Sequence, residues 1–183
     1  MNLAKSRLAV VPVGVIPEIV VKSIGAHIHA YLDIHADILP PLSHPQYALD
    51  KRRLQYDAAV ILKALDSEVF RNHDKVIGVL EVDLFVPILT HVFGEAKQGG
   101  KSALVSIHRL KDDVDADHPP TPLLLERAAK VALHEAGHLF NLFHCMDEKC
   151  LMGFSGSLSD LDLRPLYFCR YCQTFLRDAF RRR

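Results

Sequence analysis

His134-Glu135-Ala136-Gly137-His138-Leu139-Phe140-Asn141-Leu142-Phe143-His144-Cys145 is the stretch on which the reading of this chain turns. Residues four apart on a helix stand one turn above each other, so His134 and His138 can reach a single ion. Glu135 points about 100° further round the helix, at the edge of the same site. The arrangement suits a zinc-bound histidine pair beside a carboxylate that is free to move a water's proton.

A histidine in an apolar stretch is more often a packed core side chain than a ligand, and the helical wheel decides between the two. Leu125, Ala129, Ala132, Ala136, Phe140 and Phe143 fall within about 40° of one centre line, the face expected to meet the core. His134 and His138 lie about 160° from that line, so they face a cleft. His144 adds a constraint. On an unbroken helix it would sit about 9 Å beyond His138 along the axis and could not share its ion. The chain must therefore bend between them. Asn141, three residues after His138, is placed where a helix ends in the left-handed conformation, which asparagine tolerates next best after glycine.

Outward from this stretch the pattern is α/β. Arg7 to Val13 reads as a buried strand, and Pro17 opens a helix that carries Ile19, Val20, Ile24 and Ile28. Residues 34–39 read as a second strand, and Pro40, Pro41 and Pro45 as a loop. A helix is expected over 50–70, with Leu54, Ala58, Ile61, Leu62 and Leu65 as its apolar stripe. Residues 76–85 read as one strand, Phe93 to Ala96 as a short edge strand, Gln98-Gly99-Gly100 as a turn and 103–107 as a further strand. A charged, proline-rich connector over 112–122 leads to the central helix, which starts near Thr121 with Pro122 in its first turn. A last helix is expected over 174–182.

With 183 residues, 49% of them hydrophobic, the chain suits one domain with its own core, 1–183. Within it, residues 1–143 form an N-terminal subdomain that includes the central helix, and 144–183 a cysteine-rich C-terminal subdomain. Balanced charge, 22 basic against 22 acidic residues, argues against a nucleic-acid footprint. Arg177, Arg181, Arg182 and Arg183 read as a solvated helix end. There is no apolar run long enough for a membrane span, and the start of the chain is too interrupted for a signal peptide. The expectation is a cytoplasmic monomer with no membrane or nucleic-acid partner.

All four cysteines, Cys145, Cys150, Cys169 and Cys172, lie in the last third of the chain. In a cytoplasmic protein such a cluster is more often metal-binding than disulfide-forming. A closed, tetrahedral structural zinc site is the expectation, ahead of two disulfides or free thiols.

The stretch from His134 to His144 resembles the metzincin metallopeptidase signature HExxHxxGxxH, with Asn141 in place of its glycine. Continued by Cys145, Cys150, Leu151, Met152 and Cys169-Arg170-Tyr171-Cys172, it resembles the archaemetzincins in particular. Asp83-Leu84-Phe85-Val86-Pro87 and Phe93-Gly94-Glu95-Ala96 are similar to that family too. The gap between Met152 and Cys169 is one residue shorter than the family spacing. The resemblance implies a metzincin-like α/β fold: a twisted mixed sheet packed on helices, an active-site helix and a small zinc-bound C-terminal subdomain. It implies a catalytic zinc on His134, His138 and His144, a second zinc on the cysteines, and Met152 packed beneath the catalytic ion. Tyr167 is assigned plain packing. The activity implied is a peptidase in which Glu135 is the general base for a zinc-activated water, with aminopeptidase action on short peptides as one form. The competing account is a zinc-stabilised module that binds peptides or proteins without turnover.

Overall fold

The structure, a computed structural model, describes residues 7–68, 70–111 and 119–181. The stretch 112–118 of the expected connector, residues 1–6, and Arg182 and Arg183 of the arginine-rich tail lie outside them. Apolar runs from the first half of the chain line up as the middle of a five-stranded sheet. Its order is β2 (His35–Ile38), β1 (Arg7–Val13), β5 (Lys75–Leu80), β9 (Ser102–Ser106) and β8 (Gly94–Ala96). The first four strands are parallel, and β8 closes the sheet antiparallel to β9.

Near-continuous apolar strands are what a sheet covered on both faces requires. Alternate residues of β1 divide between two cores. Leu8 and Val10 pack with α1 (Glu18–Leu32) and α3 (Pro122–Leu139), while Ala9 and Val11 pack with α2 (Ala58–Ser67) on the other face. α1 buries Val20, Ile24 and Ile28, the stripe predicted for it, but its Ile19 is 50% exposed. α4 (Leu158–Leu163) and α5 (Arg170–Arg181) follow α3, and their Leu161 and Leu176 join the core around it.

Two expectations need correction. The helix predicted over 50–70 covers only its second half. Asp57 caps α2 by accepting hydrogen bonds from the backbone N–H groups of Ala59 and Val60, and a cap of this kind sets a helix start. Before it lie β3 (Leu49–Asp50) and β4 (Gln55–Asp57), joined by a turn in which Leu54 has φ 55° and is 76% exposed. The single strand predicted over 76–85 is two. β5 ends at Leu80, and β6 (Leu84–Val86) belongs to a second sheet of order β3-β4-β6-β7, with β7 at Leu89–Val92. Between them Asp83 is fixed by Arg109, with Nε to Oδ1 at 2.6 Å, and by Gln55. That anchors the bend.

Thr121 caps α3 through its side chain, and Pro122 occupies the first turn, as expected. Ala129, Ala132, Ala136 and Phe140 are buried, and Leu125 is half-buried. Phe143, assigned to the same face, is 73% exposed, because α3 ends at Leu139 and the wheel no longer applies. The last helix begins at Arg170 rather than Thr174, which puts Cys172 in its first turn.

Candidate active site

The end of α3 sets the geometry of the site. Asn141 has φ 68°. Its N–H donates to the His138 carbonyl at 3.0 Å, and the Leu142 N–H donates to the Gly137 carbonyl at 2.9 Å. These two bonds make a Schellman motif, with Asn141 in the left-handed position that usually takes glycine. The turn carries His144 back over the helix. The rings of His134, His138 and His144 gather with centroid separations of 4.8, 5.2 and 5.0 Å. The Nε2 atoms of His134 and His138 are 3.1 Å apart. Two nitrogens on one tetrahedral zinc, each about 2.0–2.1 Å from it, stand about 3.3 Å apart, so the pair fits such an ion.

The other ring nitrogens are committed. His134 Nδ1 donates to the Leu151 carbonyl at 2.9 Å, and His138 Nδ1 donates to the Leu142 carbonyl at 2.7 Å. A carbonyl only accepts, so each proton sits on Nδ1 and each Nε2 keeps its lone pair for a metal. Burial pushes His134 down to about 3 and also lowers His138 and His144. All three are then neutral near pH 7, the state in which imidazole ligates.

Glu135 lines the same cleft, a space of about 340 Å³ that also takes in all three histidines, Gly94, Glu95 and Phe154. The residue is only 7% exposed and packs against Gly94 of β8. Burial first, and the neighbouring charge of Glu95 second, push its carboxyl well above the usual range. A cation on the adjacent histidines acts in the opposite sense.

Cys145, Cys150, Cys169 and Cys172 converge as a second cluster and form no disulfide. The sulfurs of Cys145 and Cys169 are 3.8 Å apart, and those of Cys150 and Cys172 are 3.7 Å apart. Thiolates on one tetrahedral zinc at about 2.3 Å stand about 3.8 Å from each other, so these four also fit the metal. Backbone N–H groups of Asp147 and Cys169 donate to Cys145 Sγ and Cys150 Sγ. The cluster is tied to the histidine site by its own loop. Leu151, next to Cys150, supplies the carbonyl that holds His134, and the Cys145 N–H donates to the Met152 carbonyl at 2.9 Å. Met152 is fully buried, its sulfur packed against Gly137 on α3. Tyr167 is 48% exposed, and its backbone carbonyl accepts from Leu151 N–H at 2.9 Å.

One participant went unnoticed in the sequence beyond its place in a turn. Gln98 donates from Nε2 to the Leu142 carbonyl at 2.9 Å. Nothing in the spacing or type of a polar turn residue marks such a contact.

No helix among the described residues is long and apolar enough to cross a membrane. Residues 19–178 match peptidase family M54. The chain is 36% identical over 172 residues to the archaemetzincin of Methanocaldococcus jannaschii, covering 94% of this chain and 93% of that one. Its fold is similar to the crystal structure of archaemetzincin from Methanopyrus kandleri, with a TM-score of 0.86, 35% identity and 97% of each chain covered. It is likewise similar to archaemetzincin from Archaeoglobus fulgidus, solved with malonate, at a TM-score of 0.79 and 30% identity over 92% of this chain and 99% of that one. A twisted mixed sheet packed on helices, three histidines gathered at the end of one of them, and similarity that runs nearly end to end lead to one conclusion: the chain belongs to peptidase family M54, the archaemetzincins, and is a zinc metallopeptidase.

Proposed function

We propose that this cleft hydrolyses peptide bonds, with His134, His138 and His144 holding the catalytic zinc and Glu135 acting as general base. The observation that carries the reading is the pair of committed Nδ1 protons, which leave the Nε2 atoms of His134 and His138 converging with free lone pairs. A zinc ion held there supplies Lewis acidity, lowering the pKa of water to about 7 and polarising a substrate carbonyl. A Glu135 carboxylate oxygen takes the proton from the attacking water and then delivers it to the departing amine. Burial raises the proton affinity of this carboxylate, which favours its taking the proton.

Cys145, Cys150, Cys169 and Cys172 hold a second, structural zinc in this proposal, giving two per chain. Free, clustered thiols belong in a reducing compartment, so the proposed place of action is the cytoplasm. β8 is the last strand of its sheet, and its outer edge lies beside the cleft. An extended peptide can add there as one more strand. Aminopeptidase action on short peptides is the form proposed for this activity.

Metal analysis of purified protein, paired with Glu135→Gln, tests the mechanism. Two zinc ions per chain in both proteins, with turnover lost only in the variant, is the expected result. Full activity in Glu135→Gln overturns it. A panel of short peptides with free and acetylated amino ends tests the aminopeptidase form, which requires the free ones to be preferred.

A further inference from the structure

We propose that Gln98, in the turn between β8 and β9, is a positioning residue for the metal site, acting on His138 through the Leu142 carbonyl. This rests on the reading of His138 as a zinc ligand. The Leu142 carbonyl accepts two hydrogen bonds, from His138 Nδ1 at 2.7 Å and from Gln98 Nε2 at 2.9 Å. It belongs to the second peptide group beyond the left-handed residue Asn141, between the buried Leu142 and Phe143, whose side chain is 73% exposed. Packing at residue 143 therefore does little to stop this peptide plane from swinging. The Gln98 carboxamide does.

The neighbouring residue grips the same helix end. Gly99 donates its N–H to the His138 carbonyl at 2.8 Å, sharing that acceptor with Asn141 N–H at 3.0 Å. Its φ of +64° suits glycine, and a Cβ there would run into the Asn141 side-chain oxygen. Consecutive turn residues thus hold both the main-chain carbonyl of His138 and the acceptor of its ring. A turn that only joined two strands needs neither bond, since Gly100 N–H to the Lys97 carbonyl, at 2.7 Å, already closes it. Gln98 is itself exposed, so its bond to Leu142 replaces one to water and adds little to overall stability. Its effect falls on the orientation and tautomer of His138.

Gln98→Met keeps the length of the side chain and removes the donor, and Gln98→Glu turns a carboxylate towards the Leu142 carbonyl. The measurements are zinc affinity of the histidine site by chelator competition, the visible bands of cobalt(II) in that site, and Tm. Unreactive thiols report that the cysteine site stays filled, and His138→Ala is the reference. Gln98→Met is expected to bind zinc about 10-fold more weakly, with altered cobalt bands and a Tm close to wild type, and Gln98→Glu to lose at least as much. If His138→Ala binds zinc as wild type does, the ligand reading fails and this role with it. If His138→Ala loses the ion while both Gln98 variants match wild type in affinity and cobalt bands, the role of Gln98 alone is overturned.

Discussion

Gly94 on β8 and Glu135 on α3 are in contact: a Cβ at residue 94 would stand 2.7 Å from both Cγ and Oε1 of Glu135, and 2.8 Å from the Leu104 carbonyl oxygen. Moving the Glu135 side chain relieves the first two contacts, and the third requires β8 to shift against β9. Gly94→Ala is expected to move the Glu135 carboxylate and lower kcat about 100-fold while the metal content stays that of wild type. Turnover measured beside metal content checks this, and unchanged kcat would remove Gly94 from the account.

Asn141 holds the bend that brings His144 back to the site, at φ 68°. Left-handed backbone costs a side chain roughly 1–2 kcal/mol, less for asparagine. Asn141→Gly should be neutral or stabilising by up to about 1 kcal/mol. Asn141→Val should cost about 2 kcal/mol or more, because a β-branched residue tolerates this region worst. Urea unfolding gives the stabilities, and zinc affinity should fall in the valine variant alone.

Arg127 on α3 holds Asp162 on α4 through two bonds of 2.7 Å, from Nε to Oδ1 and from a terminal guanidinium nitrogen to Oδ2. The guanidinium keeps the Asp162 carboxyl below its ordinary value of 3.8. A depressed folded-state pKa stabilises the fold above the unfolded value, and that stabilisation disappears as pH falls through the folded one. Asp162→Asn is expected to cost about 1–3 kcal/mol at pH 7, less than a fully buried pair because the Asp162 side chain is 36% exposed. Chemical denaturation of both proteins should show the gap closing towards pH 2. A gap that is constant with pH would mean that the ion pair is not its source.

The four thiols should resist modification in native protein and all react once a strong chelator has removed the metal. Because Leu151 adjoins Cys150, blocking the freed thiols should also weaken zinc binding by His134, with a loss of about 10-fold or more. Thiols that react at once in the native protein would argue against a metal among them.

What the sequence revealed and what it hid differ in physical kind. The gathering of His134, His138 and His144 was legible because helical spacing and a single left-handed position are local properties of a few residues. α3, β1 and the edge strand β8 were legible for the same reason. α2 was misplaced at its start because Leu54 continues the spacing of Ala58 and Ile61, although Asp57 carried a capping signal that could have set the boundary. The break after β5 depends on Arg109 and Gln55 reaching Asp83 from 26 and 28 residues away, and no local pattern records that. Gln98 is invisible for the same reason, since its partner is 44 residues along the chain.

The acceptors that orient His134 and His138 are main-chain carbonyls, those of Leu151 and Leu142. Substitution at either leucine changes a side chain and leaves the acceptor in place. A saturation screen at those two positions would therefore read out the packing of two buried side chains and overlook the acceptors that prepare the imidazoles. Core packing, not the chemistry of the rings, is what ties those two positions to leucine, because the proton's address on each ring is written in the path of the backbone.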